Sequence, residues 1–217
     1  QLLRGYLVDV SGHALTTALY TSTLNVLLHE AAELDASLAE QVGWLNRQVG
    51  RHFEANAFAA AIAFELDLPA RELRYVGAGV NRFWANMAAV EGTVTVAGRY
   101  LGVSRQDDYL QQSLPLAVGD GLCFISDGME RLLEADARGP RGLLGDCRRL
   151  RSALAEVAKN EELTDDATAV CIRVKALPHS LSSDQWPKHL TLNGFNDYRR
   201  LKGEVAKLLA EATGLVH

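Results

Sequence analysis

The sequence predicts an α+β domain in which antiparallel β-sheet packs against α-helices. Its segments follow the order strand, helices, several strands, helix, strand, which is not an alternating βαβ series. Hydrophobic residues make up 48% and charged residues 23% of the 217 residues, which is typical of a globular chain with a sizeable core. We therefore expect one main domain over residues 1–175, followed by a segment of different composition.

The first elements are a short strand and a helical hairpin. Tyr6–Val10 is an apolar run with a single acid, and Ser11–His13 has the composition of a turn. From Ala14 the period is helical, and one face holds Leu15, Ala18, Leu19, Ser22 and Val26. The face of a second helix holds Leu38, Val42, Leu45 and Val49. That helix has a candidate N-cap at Asp35 or Ser37 and ends near Phe53.

Several strands come next in the chain. Phe58–Leu68 and Glu72–Val76 predict a β-hairpin with a tight connection at Asp67–Ala70. Further predicted strands cover residues 82–87, 93–97, 111–116, 122–125 and 169–174. The apolar spacing over Cys147–Val157 indicates an amphipathic helix between the last two strands.

The composition changes after the last strand. Residues 176–194 contain two prolines and little periodicity, which indicates a linker, and Asn196–Thr213 predicts an amphipathic helix. This helix either packs on the same domain or opens a further one. An apolar face without a partner in the chain would favour a homodimer.

Charge and cysteine content narrow the class of protein. A net charge of −5 and a pI of about 5.7 argue against nucleic-acid binding, whose footprint is basic. Cys123, Cys147 and Cys171 are odd in number and widely spaced, which fits neither a disulfide framework nor a zinc cluster and predicts a cytoplasmic location. No signal-peptide pattern is visible, and a strand starting at Leu2 needs a partner, so we expect the native polypeptide to extend upstream of residue 1.

Three acids occupy positions at strand ends where burial would be costly. Asp9 lies inside an apolar strand, Asp127 ends another, and Asp165 opens the last one. Converging carboxylates repel one another and lose hydration, which a divalent cation offsets. Because all the implied ligands are oxygens, Mg²⁺ or Mn²⁺ fits better than zinc. Taken singly, each acid also fits an ordinary turn former or a solvated cap.

Four sequence elements resemble the SpoIIE-type branch of the PPM metal-dependent protein phosphatases. Val8–His13 is similar to the family's first acidic signature, and Leu73–Asn81 resembles its Asn-Ala-Gly-His-Asn strand-and-turn element. Gly119–Asp120 followed by Ile125–Glu130 is similar to its Gly-Asp … Ser-Asp-Gly-x-x-Glu element. Asp165–Thr168 matches the closing Asp-Asp-x-Thr, and the four elements occur in the family's order.

The resemblance implies a PPM-type α-β-β-α sandwich of two antiparallel sheets flanked by helices, with two Mn²⁺ or Mg²⁺ ions in a cleft. It implies that Asp9 bridges the ions, that the backbone carbonyl of Val10 binds one of them, and that Asp127 and Asp165 complete the ligation. Asp165 is preferred to Asp166 because the family's ligand is the first acid of the pair.

The implied reaction is hydrolysis of phosphoserine or phosphothreonine on a regulatory protein, such as a STAS-type anti-sigma factor antagonist. Two metal ions roughly 3.5–4 Å apart can lower the pKa of a shared water and direct hydroxide at phosphorus. No Ser, Cys or His nucleophile stands out, which indicates direct hydrolysis. His13 is interpreted as a structural residue, while Arg74 and Arg82 either hold a phosphate or are simply exposed.

The sequence departs from the family pattern at several positions. Val8 and Ala14 stand where glycines are expected, and Val80 replaces the histidine of the middle element. A further metal-binding Asp of the family would lie upstream of residue 1. These departures keep a second hypothesis open, in which the domain is a catalytically silent module that binds a signalling partner. Under the phosphatase hypothesis we expect an upstream sensory or signalling domain. In the setting of this family, the C-terminal helix would begin a histidine-kinase-like ATPase domain of the anti-sigma type.

Overall fold

The computed structural model describes residues 2–12, 14–54, 56–106, 108–129, 152 and 168–177. The helices whose full bounds lie within these ranges are α1 (Ala14–Ala32) and α2 (Leu38–His52). Its strands are β1 (Leu2–Val10), β2 (Ala59–Asp67), β3 (Glu72–Ala78), β4 (Arg82–Asn86), β5 (Glu91–Thr95), β6 (Gln112–Pro115), β7 (Gly121–Ile125) and β8 (Ala169–Arg173). The predicted helix over residues 147–157 and the C-terminal segment after residue 177 lie outside these ranges.

The strands form two four-stranded sheets, which we call sheet A and sheet B. The strand order is β1-β2-β3-β6 in sheet A and β5-β4-β7-β8 in sheet B. Every pair of neighbouring strands in the two sheets is antiparallel. The predicted α+β class with antiparallel sheets is therefore confirmed, and strand bounds differ from the predictions by only a few residues.

Strand β2 shows why sheet A packs on both faces. Over residues 61–64 its sequence alternates small and large residues, and successive side chains of a strand point to opposite faces. The small residues Ala59, Ala61 and Ala63 lie in the core formed with α1 and α2. The large residues Ile62, Phe64 and Leu66 lie in the core between the two sheets. Small side chains let the helices approach one face, while large ones fill the space on the other.

Aromatic rings join sheet A to sheet B. Phe64 of β2 stacks on Phe124 of β7 with ring centroids 4.2 Å apart, and Phe83 of β4 contacts Phe124 at 5.0 Å. Tyr75 of β3 packs edge-on against Phe83 at 5.0 Å. Such pairs contribute about 0.5–1.5 kcal/mol each beyond the area they bury. This cluster fixes the two sheets face to face.

The helical hairpin covers the outer face of sheet A. Ser37 is the N-cap of α2: its side chain accepts from the Glu40 backbone N–H, and the Glu40 carboxylate accepts from the Ser37 backbone N–H at 2.8 Å. The sequence left the cap open between Asp35 and Ser37, and the structure selects Ser37. Helix α2 ends at His52 with Phe53 as its C-cap, which confirms the predicted end near Phe53.

The helix predicted from Ala14 is confirmed, but the face that the periodicity predicted does not meet the core. Leu15, Leu19 and Val26 are 75%, 60% and 55% exposed. The face that meets the core instead carries Leu24 and Leu27, which are almost fully buried. The sequence could not separate these faces because residues 14–28 contain no charged side chain. Within the described residues, no helix is long and apolar enough to cross a membrane.

Candidate metal centre

Asp9 and Val10 occupy the last two paired positions of β1. Asp9 lies opposite Ala60 and Val10 opposite Ala59 in the antiparallel register. Leu7 belongs to the core between the sheets, so alternation puts the half-buried Asp9 on the face towards sheet B. Val10 faces the other way and packs against the core under the helices. Asp9 is thus held by the strand on the inter-sheet side, at the strand's end.

The turn after Asp9 is fixed by hydrogen bonds to the segment before β2. The Ser11 backbone N–H donates to the Phe58 carbonyl at 2.9 Å, and the Phe58 N–H donates to Ser11 Oγ at 2.9 Å. Gly12 has a φ of +102°, which L side chains rarely adopt. These contacts confirm the predicted turn and anchor the end of β1. His13, the third residue of that turn, lies outside the described residues.

Asp127 follows β7 in sheet B and is exposed. Residues 127–129 are helical, and the Asp127 carboxylate accepts from the Gly128 backbone N–H at 2.8 Å. The carboxylate is therefore oriented at the point where a buried strand passes into a helix.

Ser126 connects the Asp127 segment to the start of β8. Its backbone N–H donates to the Thr168 carbonyl, and its Oγ accepts from the Thr168 N–H, both at 2.9 Å. Both residues belong to motifs of the sequence, but the motifs predict no role for either. Their identity as polar residues at adjacent strand ends was the only available signal. Asp165, the fourth predicted contributor, lies outside the described residues.

Asp120, part of the Gly-Asp motif, has a structural role. It is 3% exposed, and its two carboxylate oxygens accept from the backbone N–H groups of Ala88 at 2.9 Å and Ala117 at 2.7 Å. Its own carbonyl accepts from the Val174 N–H at 2.8 Å. The motif thus joins the loop before β7 to the end of β4 and the end of β8.

In the strand-and-turn element Leu73–Asn81, the backbone passes very close to the segment around residues 98–100. Gly79 has a φ of +97°, and a Cβ there would lie 2.5 Å from Tyr100 Cδ1. A Cβ at Gly98 would lie 1.8 Å from the Gly77 carbonyl oxygen. Val80, which replaces the family's histidine, packs against the core between the sheets. At this position the chain has a core contact where the family pattern has a polar side chain.

Arg74 is engaged by acids of the same sheet. Its guanidinium contacts Glu72 at 2.7 Å and Asp67 at 3.2 Å, and it lies 3.9 Å from Glu65. The hydrogen bond to Glu72 is the main reason that the pKa of Arg74 is raised. With three carboxylates around it, Arg74 serves the fold of sheet A. The other arginine considered for phosphate binding, Arg82, is exposed at the start of β4.

The donor chemistry of the predicted ligands fits a hard divalent cation. Asp9, Asp127 and the Val10 carbonyl offer oxygens only, and the two carboxylates are not deeply buried. Among the residues that the structure describes, no three His, Cys, Asp or Glu side chains form a group able to hold a metal ion. The convergence of Asp9, Asp127 and Asp165 therefore stays a prediction.

Known structures share this arrangement of two stacked antiparallel sheets. The SiaA PP2C domain of Pseudomonas aeruginosa matches with a TM-score of 0.64 at 21% identity, over 79% of this chain and 80% of that one. The RsbU and RsbW domains of a Mycobacterium tuberculosis protein match with a TM-score of 0.63 at 20% identity, over 97% of this chain and 61% of that one. The PP2C phosphatase domain and regulatory-domain fragment of Bacillus subtilis SpoIIE match at 0.63 and 16%, over 79% and 54%.

These likenesses show a PP2C-type phosphatase fold. The family described as Stage II sporulation protein E (SpoIIE) matches residues 3–175 of the sequence, which is most of the chain. The chain therefore belongs to the SpoIIE family. No match to a curated protein is significant.

Proposed function

We propose that this domain is a metal-dependent serine/threonine protein phosphatase that acts on a regulatory phosphoprotein in the cytoplasm. The observation that carries the proposal is the family match over residues 3–175, together with acids at the family's ligand positions, Asp9 and Asp127. Bound Mn²⁺ or Mg²⁺ would supply an activated water and neutralise phosphoryl charge. One solved neighbour, RsbX, is a complex with magnesium.

Each predicted metal ligand has a defined task in this proposal. Asp9 and the Val10 carbonyl present oxygens from the end of β1. Asp127 presents a carboxylate oriented by the Gly128 N–H. A hydrogen bond to Ser126 holds Thr168 next to the Asp127 segment. Asp165 precedes Thr168 by three residues, so the Cα atoms of Asp165 and Thr168 are at most about 11 Å apart even in a fully extended chain. This limit supports Asp165 as the third carboxylate of the centre.

Partners follow from the same resemblance and remain part of the proposal. The substrate would be a phosphorylated regulator such as a STAS-type anti-sigma factor antagonist, and the domain would receive its signal from an attached regulatory region. The solved SpoIIE neighbour includes a fragment of a regulatory domain.

The segment 176–217 is proposed to be a linker and the beginning of a further domain. The neighbour with RsbU and RsbW domains covers 97% of this chain, whereas the SiaA and SpoIIE matches each cover 79%. The longer match supports a second domain that begins within this segment.

Phosphate release from phosphoserine-containing casein tests the proposal. We expect release that requires added Mn²⁺, stops with a chelator, and falls about 100-fold or more in Asp127→Asn, because a metal ligand is lost. Asp108→Asn is the matched control, since Asp108 is exposed and forms an ion pair with the exposed Arg99 at 3.3 Å. Metal-independent binding of the phosphoprotein without phosphate release would instead establish the silent binding module, which the valine at position 80 favours.

A further inference from the structure

The two cysteines of sheet B lie directly opposite each other. Cys123 of β7 and Cys171 of β8 are register partners in the antiparallel pair, although 48 positions separate them in the sequence. Their Sγ atoms are 2.8 Å apart, and both residues are reduced thiols. Wide spacing in the sequence argued against a disulfide, but the fold removes that argument because it brings the two thiols together.

The local backbone is compatible with a covalent link. Directly opposite residues of an antiparallel pair have Cα atoms about 4.5–5.5 Å apart, which lies within the 4.4–6.8 Å range of disulfides. The Sγ atoms would have to approach by roughly 0.8 Å to reach bonding distance. Leu122 and Phe124 of β7 face sheet A, so both thiols lie on the other face of sheet B and the link would not disturb the aromatic cluster.

The two thiols differ in solvent exposure, which gives them different roles in an oxidation. Cys123 is 1% exposed, whereas Cys171 is partly exposed to solvent. An oxidant in solution would therefore meet Cys171 first and leave Cys123 as the resolving thiol. A partly exposed thiol beside a buried one is the arrangement that traps a sulfenic acid as a disulfide before further oxidation.

We propose that Cys123 and Cys171 form a reversible cross-strand disulfide when the protein meets a peroxide. Hydrogen peroxide oxidises the Cys171 thiol to a sulfenic acid and is reduced to water. The Cys123 sulfur then attacks the Cys171 sulfur, the S–S bond forms, the S–O bond breaks and a second water leaves. The two sulfurs together lose two electrons to one peroxide, and a dithiol reductant reverses the reaction.

Intact-mass measurement and peptide mapping of the 217-residue chain test this proposal. After treatment with hydrogen peroxide, we expect a loss of about 2 Da and a linked peptide pair containing Cys123 and Cys171, both reversed by dithiothreitol. Cys147→Ser is the matched control and keeps the link, because Cys147 takes no part in it. Cys171→Ser abolishes it, and this partly exposed position is the safer one to change because Cys123 is buried.

Thermal unfolding gives a second readout that does not depend on any catalytic activity. A link that closes a loop of this length raises the Tm of the oxidised Cys147→Ser protein by roughly 5–15 °C over its reduced form. The proposal is overturned if folded Cys147→Ser keeps its reduced mass under conditions that oxidise the urea-unfolded chain. It is equally overturned if every linked peptide of the unsubstituted protein contains Cys147, or if Cys171 gains two oxygens without forming a link.

Discussion

At the scale of single residues, Asp120 shows how one buried acid can join distant segments. Its carboxylate satisfies two backbone N–H groups, those of Ala88 and Ala117, and little of it is exposed. Removing the carboxylate would leave two backbone donors without their acceptor in a buried place, which costs more than the hydrogen bonds themselves contribute.

We expect Asp120→Ala to lower the free energy of unfolding by about 2–4 kcal/mol, because both N–H groups lose their acceptor. Asp120→Asn should cost about 1–3 kcal/mol, since an amide supplies only one acceptor oxygen. Urea unfolding measures both. Asp108→Asn serves as the comparison, and its exposed ion pair with Arg99 predicts a change below about 0.5 kcal/mol. Equal losses for Asp108→Asn and Asp120→Asn would contradict this role.

A second residue-scale prediction concerns alkaline pH. Burial raises the pKa of Tyr109 to about 12, and its hydroxyl has no hydrogen-bond partner among the described residues. A raised pKa means that the fold favours the neutral phenol. The resulting stability is fully present below the unfolded pKa of about 10 and is lost as the pH rises towards about 12.

Tyr109→Phe should therefore reduce the alkaline loss of stability by about 1 kcal/mol, less than the full linkage value because the ring is partly exposed. Part of the loss remains, because burial also raises the pKa values of Tyr6 and Tyr75. At neutral pH the variant should be at least as stable as the original protein, since no hydrogen bond is given up. Urea unfolding at pH about 8 and about 11 checks both points, and a steeper alkaline loss in the variant would refute them.

At the scale of elements, α1 shows that an apolar side chain need not be buried. Leu19 and Leu24 lie on the same helix and have the same side chain, yet the first is 60% exposed and the second 2% exposed. Leu24→Ala should lower the free energy of unfolding by about 2–5 kcal/mol, because it opens a cavity under the helix. Leu19→Ala should stay within about 0.5 kcal/mol. Comparable losses in urea unfolding would mean that the exposed face is covered in solution.

The same helix shows where sequence reasoning reached its limit. Periodicity predicted α1, α2 and the strands, and composition predicted the turn at Ser11, because each depends on neighbours in the chain. Periodicity did not identify the inward face of α1, since residues 14–28 offer no charge to mark the solvent side.

Long-range register explains what sequence reasoning missed in sheet B. Ser126 meets Thr168 over 42 positions, and Cys123 meets Cys171 over 48 positions. Neither contact follows from spacing, because it depends on how β7 pairs with β8. The acids were recognisable one by one through the family motifs. The polar residues that orient their segments became visible only from the pairing of the strands.

At the scale of the whole molecule, the approach of the two sheets depends on one residue without a side chain. Gly5 of β1 lies opposite Phe64, and a Cβ at Gly5 would be 2.3 Å from Phe64 Cζ. The ring cannot give way cheaply, because it is buried and stacked on Phe124. The glycine therefore makes room on β1 for the aromatic contact that joins sheet A to sheet B.

Gly5→Ala should lower the free energy of unfolding by about 1–3 kcal/mol, as for an overpacked core. Gly50→Ala is the matched control, because nothing lies within 4 Å of its added Cβ and the residue is in α2. There alanine should stabilise the protein by about 0.5–1 kcal/mol. Adding Phe64→Leu to Gly5→Ala should cost less than the sum of the two single changes, because both act through the same contact. Additive losses in urea unfolding would show that Gly5 acts elsewhere.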